Sequence, residues 1–334
     1  CHNDAEEVMG VNSRVELAKA TRTLYIRKND ALQNAGVTIL DSTRTWVDPR
    51  AKIGKDTVLF PDVLMEGPVV LGEGCTVRSG SRIADSRLGD VVAGKRLAVA
   101  LVDVTNPHKP RVAGVNEHEM MYAASLPKIA ILLAAFQKAE DTGEPLNQSS
   151  KELLTRMIRD SSNSAATEMS DWVGMEYIAN VLTSDRYKFY DDQDDGGIWV
   201  GKAYARRGAW RRDPLGTLSH AASAFEVSRF YYLLVTGRLV SPGASADMKQ
   251  MLSRPAIDHK FVSGLAKARP GSRIYRKSGT WRTYHSDSAL VERDGRAYIA
   301  VALCNDARCG SWLKSLIVRL DDLIFEPETV NRRP

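Results

Sequence analysis

The chain has 334 residues, 43% of them apolar and 26% charged, with a formal charge of +5. These values fit a folded, soluble chain long enough for two domains and a sizeable core. No apolar run reaches bilayer-spanning length, and the one basic patch with an aromatic, Arg206 to Arg212, follows an acidic run at Asp191, Asp192, Asp194 and Asp195; both points argue against a transmembrane segment and a nucleic-acid partner.

Residues 1–45 read as a helical arm. From Val47 an aliphatic residue or methionine then returns every six positions, at Val47, Ile53, Leu59, Met65, Leu71, Val77 and Ile83. The accompanying positions Gly54, Thr57, Val63, Val69, Gly72, Cys75 and Ser81 are mostly small or β-branched, as the corners and faces of stacked coils require. A hexapeptide period of this kind predicts a parallel β-helix over 46–90.

The stretch from Glu6 to Asp41, EEVMGVNSRVELAKATRTLYIRKNDALQNAGVTILD, resembles the linker of bacterial bifunctional N-acetylglucosamine-1-phosphate uridyltransferase/acetyltransferases. That resemblance implies a linking helix leading into a partial left-handed β-helix, and with it a homotrimer. The parts needed for that family's chemistry are not expected here: no nucleotide-binding domain is read ahead of the helix. None of His2, His108, His118, His220, His259 and His285 falls inside the repeat to serve as an acetyl-transfer base.

A second part, 95–326, opens with a strand from Leu97 and another at Arg111–Val115. The run from Met120 to Phe136 is apolar almost all round, which predicts a buried helix, and Pro127 places its start near Ala124. Ser125 and Lys128 then share a face at the positive end of that helix. A desolvated lysine loses proton affinity, so Lys128 would take a proton from the Ser125 hydroxyl. Taken alone, the same pair also reads as a cap serine and a lysine reaching for solvent.

Helices are expected at 151–159, 164–182 and 219–235. The first two are joined by a tight connection holding Ser161 and Asn163, a hydroxyl and an amide two residues apart and able to face one side, or else simple loop punctuation. Three strands run from Arg273 to Cys304, two of them joined at Asp294-Gly295, a strong hairpin signal. The first carries Lys277, Ser278 and Gly279. Gly279 would let substrate lie against the strand edge, and the Thr280 N–H would join that of Ser125 in an oxyanion hole; a surface lysine before a turn glycine is the plainer alternative. A closing helix with Ser311 as cap should pack Trp312, Leu316, Leu320 and Leu323 on the sheet.

In that order Ser125-Leu-Pro-Lys128, Ser161-Ser-Asn163 and Lys277-Ser-Gly279 resemble the motif set of the class A β-lactamase and penicillin-binding serine hydrolase superfamily. The resemblance implies a mixed α/β fold in which an antiparallel sheet flanked by helices holds an all-helical insertion. It implies Ser125 as the acylated nucleophile, Lys128 as its proton acceptor and Ser161 as the relay to the leaving nitrogen. Asn163 would hold the substrate amide, and Lys277 with Ser278 the substrate carboxylate, Gly279 and Thr280 completing the substrate-binding strand. The implied substrate is a β-lactam or a peptidoglycan-like small molecule, opened with no cofactor and no metal.

Two departures stand out. The middle motif lacks its central acid, and no Glu-x-x-Leu-Asn loop, the family's source of a deacylating base, occurs between Asn163 and Lys277. Slow release of the acyl group, as in a penicillin-binding protein or a D-Ala-D-Ala peptidase, is therefore the alternative reading, with an idle trimeric β-helix scaffold as a non-catalytic one. Tyr122, Glu168, Trp281, His285 and Asp287 are weaker candidates for the pocket.

Cys1, Cys75, Cys304 and Cys309 form no zinc-like or redox pair. Cys304 and Cys309 either bridge or stay free, and a leading Cys1 is compatible with a lipoprotein. The compartment stays open: the second part's relatives imply the periplasm or cell envelope and the first part's the cytoplasm, and no signal peptide is read ahead of the catalytic half. Residues 327–334 form a tail.

Overall fold

The computed structural model describes residues 13–84 and 88–325. The readings placed on Cys1, His2 and the 327–334 tail lie outside them. The chain divides into two compact units, Cys1–Gly94 and Lys95–Pro334, each taken here by itself.

In the first unit, helix α1 (Arg14–Asn34) starts at Ser13, whose hydroxyl accepts the Glu16 N–H at 3.2 Å. Eight short strands follow: β1 (Thr38–Ile39), β2 (Trp46–Val47), β3 (Lys52–Ile53), β4 (Val58–Leu59), β5 (Leu64–Glu66), β6 (Val70–Leu71), β7 (Thr76–Val77) and β8 (Arg82–Ala84), then a short helix α2 (Leu88–Ala93). All the pairings are parallel, in three ladders, β1-β4-β7, β2-β5-β8 and β3-β6. Trp46 pairs with Leu64, Lys52 with Val70, Val58 with Thr76 and Leu64 with Arg82, so three hexads make one coil. Val47, Leu59, Met65 and Val77 are buried, with Ile53, Leu71 and Ile83 packed against them. The six-residue period is thus the inward face of each coil.

The second unit is built on a five-stranded antiparallel sheet of order β10-β9-β18-β17-β16. Its strands are β9 (Leu97–Asp103), β10 (Arg111–Val115), β16 (Arg273–Trp281), β17 (Tyr284–Arg293) and β18 (Arg296–Asn305). Asp294 (φ 48°) and Gly295 (φ 75°) form the two-residue turn between the last two. Between β10 and β16 lie β11 (Met121–Tyr122), α3 (Lys128–Thr142), α4 (Gln148–Arg159), α5 (Asn163–Val173), α6 (Met175–Thr183), β12 (Tyr190–Asp191), β13 (Gly196–Gly197), β14 (Trp199–Val200), β15 (His220–Ala222), α7 (Ala224–Val235), α8 (Pro242–Leu252) and α9 (Phe261–Ala268). Helix α10 (Cys309–Phe325) closes the chain against the sheet and α9.

The structure departs from the sequence reading at four helices. Helix α3 begins at Lys128, not near Ala124, because residues 123–130 turn with tighter three-residue hydrogen bonds such as Leu126 N–H to Ala123 O. The single helix expected over 164–182 is two, broken at Gly174 (φ 91°). Residues 220–222 are a strand, and Ser223 caps α7 only after it. In α10 the buried residues are Cys309, Leu313, Ile317, Leu320, Asp321 and Ile324; of the expected stripe Leu320 is buried, Trp312 and Leu316 are half-buried and Leu323 is exposed, and Ser311 lies inside the helix. Cys309, disulfide-bonded to Cys304, starts that helix and sets its face.

Candidate active site

Three chain segments converge beside the free edge of β16. The turn before α3 supplies Ser125 and Lys128. Ala124, at φ 52°, is in the left-handed region unusual for a residue with a Cβ. It is fixed there by Tyr204, whose hydroxyl donates to Ala124 O at 3.1 Å. The connection between α4 and α5 supplies the second group: Ser161 leaves α4 at φ 55°, and Ser162 caps α5 by accepting the Ala165 N–H. Strand β16 supplies Lys277 to Thr280.

Lys128 is fully buried, yet its ammonium nitrogen reaches Ser161 O at 2.6 Å and Asn163 Oδ1 at 2.7 Å and lies 4.5 Å from the centre of the Tyr204 ring. Burial lowers its pKa from the usual lysine value to about 7. Among the described residues no carboxylate hydrogen-bonds to Lys128, Ser161 or Asn163, so nothing nearby restores the charge. A neutral amine has two hydrogens and one lone pair. The two carbonyl-type oxygens take the hydrogens and leave the lone pair as an acceptor.

Lys277 is buried as well and donates to Ser161 Oγ at 2.8 Å and to Ser278 O at 2.7 Å. Burial, and then the charge of Lys128, hold its pKa well below the usual value. Ser161 therefore links the two lysines, through its carbonyl to one and its hydroxyl to the other. Ser125 and Ser161 are half-buried, and Asn163 and Thr280 are exposed. The groups open to solvent are thus two hydroxyls, an amide and the β16 edge.

Gly279 has a different reason from the one read in the sequence. A Cβ there would lie 2.3 Å from Ala123 O and 2.7 Å from Ser125 N. The glycine admits the Ser125 turn, and that space is closed to substrate. Behind the strand, Lys260 (φ 54°) is buried and donates to Gly279 O at 2.7 Å, Thr280 Oγ1 at 2.9 Å and Ser286 O at 3.1 Å. Since the C=O and N–H of a trans peptide point oppositely, the Thr280 N–H is directed away from Lys260, toward the unpaired strand edge.

The weaker candidates separate. Asp287 is fully buried in a two-toothed ion pair with Arg276, at 2.7 and 2.8 Å, and is no pocket residue. Glu168 is exposed on α5. Tyr122 packs edge-on against Tyr284 and His220. Trp281 is 54% exposed at the end of β16. The charged stretch from Asp191 to Leu218 is partly internal. Asp213 is buried and accepts the N–H groups of Leu215, Gly216 and Leu218, and the same stretch carries Tyr204 to the site. Tyr204 and Lys260 were not legible, because each sits in a segment without periodicity, and His220 falls in a strand where a helix was expected.

A model of the β-lactamase enzyme family matches residues 142–325, which hold the second and third motifs. Among solved structures, a β-lactamase from Sphaerobacter thermophilus is similar with a TM-score of 0.55 and 17% identity, covering 70% of this chain and 95% of that one. PBP-A is similar with a TM-score of 0.53 and 17% identity, covering 72% and 97%. At these identities the likeness shows the fold. The first unit is similar to the bifunctional protein GlmU of Carboxydothermus hydrogenoformans, 42% identical over 87 residues, 26% of this chain and 20% of that one. It is also similar to that of Geotalea daltonii, 43% identical over 89 residues, 27% and 20%. The chain thus spans about a fifth of the length of the curated relatives it matches. With the sheet, the convergent motifs and a family match over more than half its length, the chain belongs to the β-lactamase enzyme family.

Proposed function

We propose that the second unit is an active-site serine hydrolase that opens β-lactam or related peptide amide bonds through an acyl-enzyme on Ser125. The observation that carries this reading is the setting of Lys128: buried, with Ser161 O and Asn163 Oδ1 as its acceptors and its pKa lowered by burial to about 7, where the neutral amine is available. Its lone pair accepts the Ser125 hydroxyl proton as Oγ attacks the amide carbon. The Ser125 and Thr280 N–H groups receive the developing oxyanion. Ser161, whose oxygen already accepts from Lys277, passes a proton to the leaving nitrogen. Asn163 keeps its Nδ2 hydrogens for the substrate amide and Lys277 attracts the substrate carboxylate, while Ser278, buried with its side chain on the other face of β16, takes part through its carbonyl, which accepts from Lys277.

Release is the slow step on this reading. Water needs a base, and the residue that reaches the Ser125 turn from the 190–220 stretch is Tyr204, whose hydroxyl pKa is raised by burial. A variant of the structural neighbour PBP-A was solved as an acyl-enzyme complex with penicillin G, covering 72% of this chain at 16% identity. That supports an accumulating acyl-enzyme here. Nitrocefin opening compared between wild type and Lys128→Ala tests the base: the account expects a loss of about 10²-fold or more, and equal rates would eliminate it.

For the first unit, the eighteen-residue coil and the GlmU likeness support a left-handed β-helix acting as a trimerisation element. A solution mass near the 36.9 kDa of one chain would remove the trimer.

A further inference from the structure

Lys260 lies behind the strand that carries the third motif, on the side of the sheet away from Ser125. Strand alternation puts Arg276, Ser278 and Thr280 on that side and Lys277 and Gly279 on the other. Its three ammonium hydrogens meet three oxygens, Gly279 O, Thr280 Oγ1 and Ser286 O. That is the pattern of a charged lysine, in contrast to Lys128 with its two acceptors. Gly279 O belongs to the same peptide group as the Thr280 N–H. A cation bonded to the carbonyl end of a peptide draws electron density toward it and makes the N–H at the other end a stronger donor.

Resting on the acyl-transfer reading above, we propose that Lys260 is a positioning residue which, through the Gly279–Thr280 peptide, strengthens and aims the Thr280 N–H as an oxyanion donor. The cation is held in place from several sides. Lys260 caps α9, and the next residue, Phe261, gives its N–H to Asp287 Oδ2. The charged and titratable groups facing it are Arg276 and Lys277 on β16, Asp287 and His285 on β17, and neighbouring His259. Asp287 favours the ammonium, while burial and Arg276 oppose it, which sets its pKa near 8, lowered to about that value. The strengthened N–H is therefore expected below that pH and lost above it.

The experiment uses the full chain and a penicillin. Lys260→Met should acylate Ser125 about tenfold more slowly, with the dissociation constant of the initial complex changed by less than about twofold, and Lys260→Arg should recover most of the rate. In the wild-type acyl-enzyme, the infrared stretch of the ester carbonyl reports polarisation directly. It should rise as pH is taken from about 7 to about 10, and stay constant in Lys260→Met. A carbonyl stretch independent of pH in the wild type overturns the proposal even if the methionine variant fails to fold, and so does a folded variant that acylates at the wild-type rate. If the wild type forms no acyl-enzyme at all, the acyl-transfer reading has failed first, and this proposal with it.

Discussion

Two buried lysines reach the same serine, Lys128 at 2.6 Å and Lys277 at 2.8 Å. Lys128 reaches Ser161 O and Lys277 reaches Ser161 Oγ, and both have depressed pKa values: burial lowers that of Lys128, and at Lys277 burial and then the charges of Lys128 and Arg276 outweigh the opposing pull of Asp287. The sign for catalysis follows from which form acts. A base must be neutral, so acylation should rise with pH through about 7, the value of Lys128, and stay high until another group titrates. A pH profile of the adduct-forming rate checks this; a rate that falls from acid to neutral pH contradicts it. At Gly279 the argument is steric. A methyl group there meets Ala123 O at 2.3 Å, so Gly279→Ala should destabilise the unit by about 1–3 kcal/mol and slow acylation by displacing Ser125. Thermal melting with an adduct time course measures both, and an unperturbed Gly279→Ala variant would refute the close approach.

Among the elements, the β16–β17 pair holds the site from behind. Arg276 and Asp287 are buried across that pair, and Asp287 also accepts the N–H groups of Phe261 and Ser288. Removing one partner leaves a buried charge. Arg276→Met should cost about 3–5 kcal/mol, read as a lowered denaturation midpoint; a variant as stable as the wild type would show the pair to be dispensable. This network was not visible in the sequence, because nothing about Arg276 or Asp287 marks them as partners until the register sets Ser278 opposite Asp287. The hairpin itself was visible, since Asp294-Gly295 needs positive backbone angles and flanks two apolar runs. The stripe of α10 was placed only in part: Leu320 is buried as expected, but the helix starts at Cys309 and not at the capping serine, and its other buried leucine and isoleucines are Leu313, Ile317 and Ile324. The disulfide, left open by spacing alone, closes between Cys304 and Cys309 at a Cα separation of 6.0 Å.

For the whole molecule, the periodic parts were legible and the aperiodic ones were not. The six-residue repeat foretold stacked parallel coils through its local spacing, and the resemblance carried by the three motifs implied that their segments would meet. The stretch from Asp191 to Leu218 has no period, so nothing in its sequence foretold that the fold buries Trp199 and Asp213 and brings Tyr204 to the Ser125 turn. The lack of a Glu-x-x-Leu-Asn loop between Asn163 and Lys277 is why the account centres on acylation. The most direct measurement is intact mass after exposure to a penicillin, with the adduct mapped and its lifetime followed. The account predicts one penicillin added at Ser125, persisting well beyond its time of formation and missing in Ser125→Ala. No adduct on the wild type, or an undiminished adduct on Ser125→Ala, would contradict it.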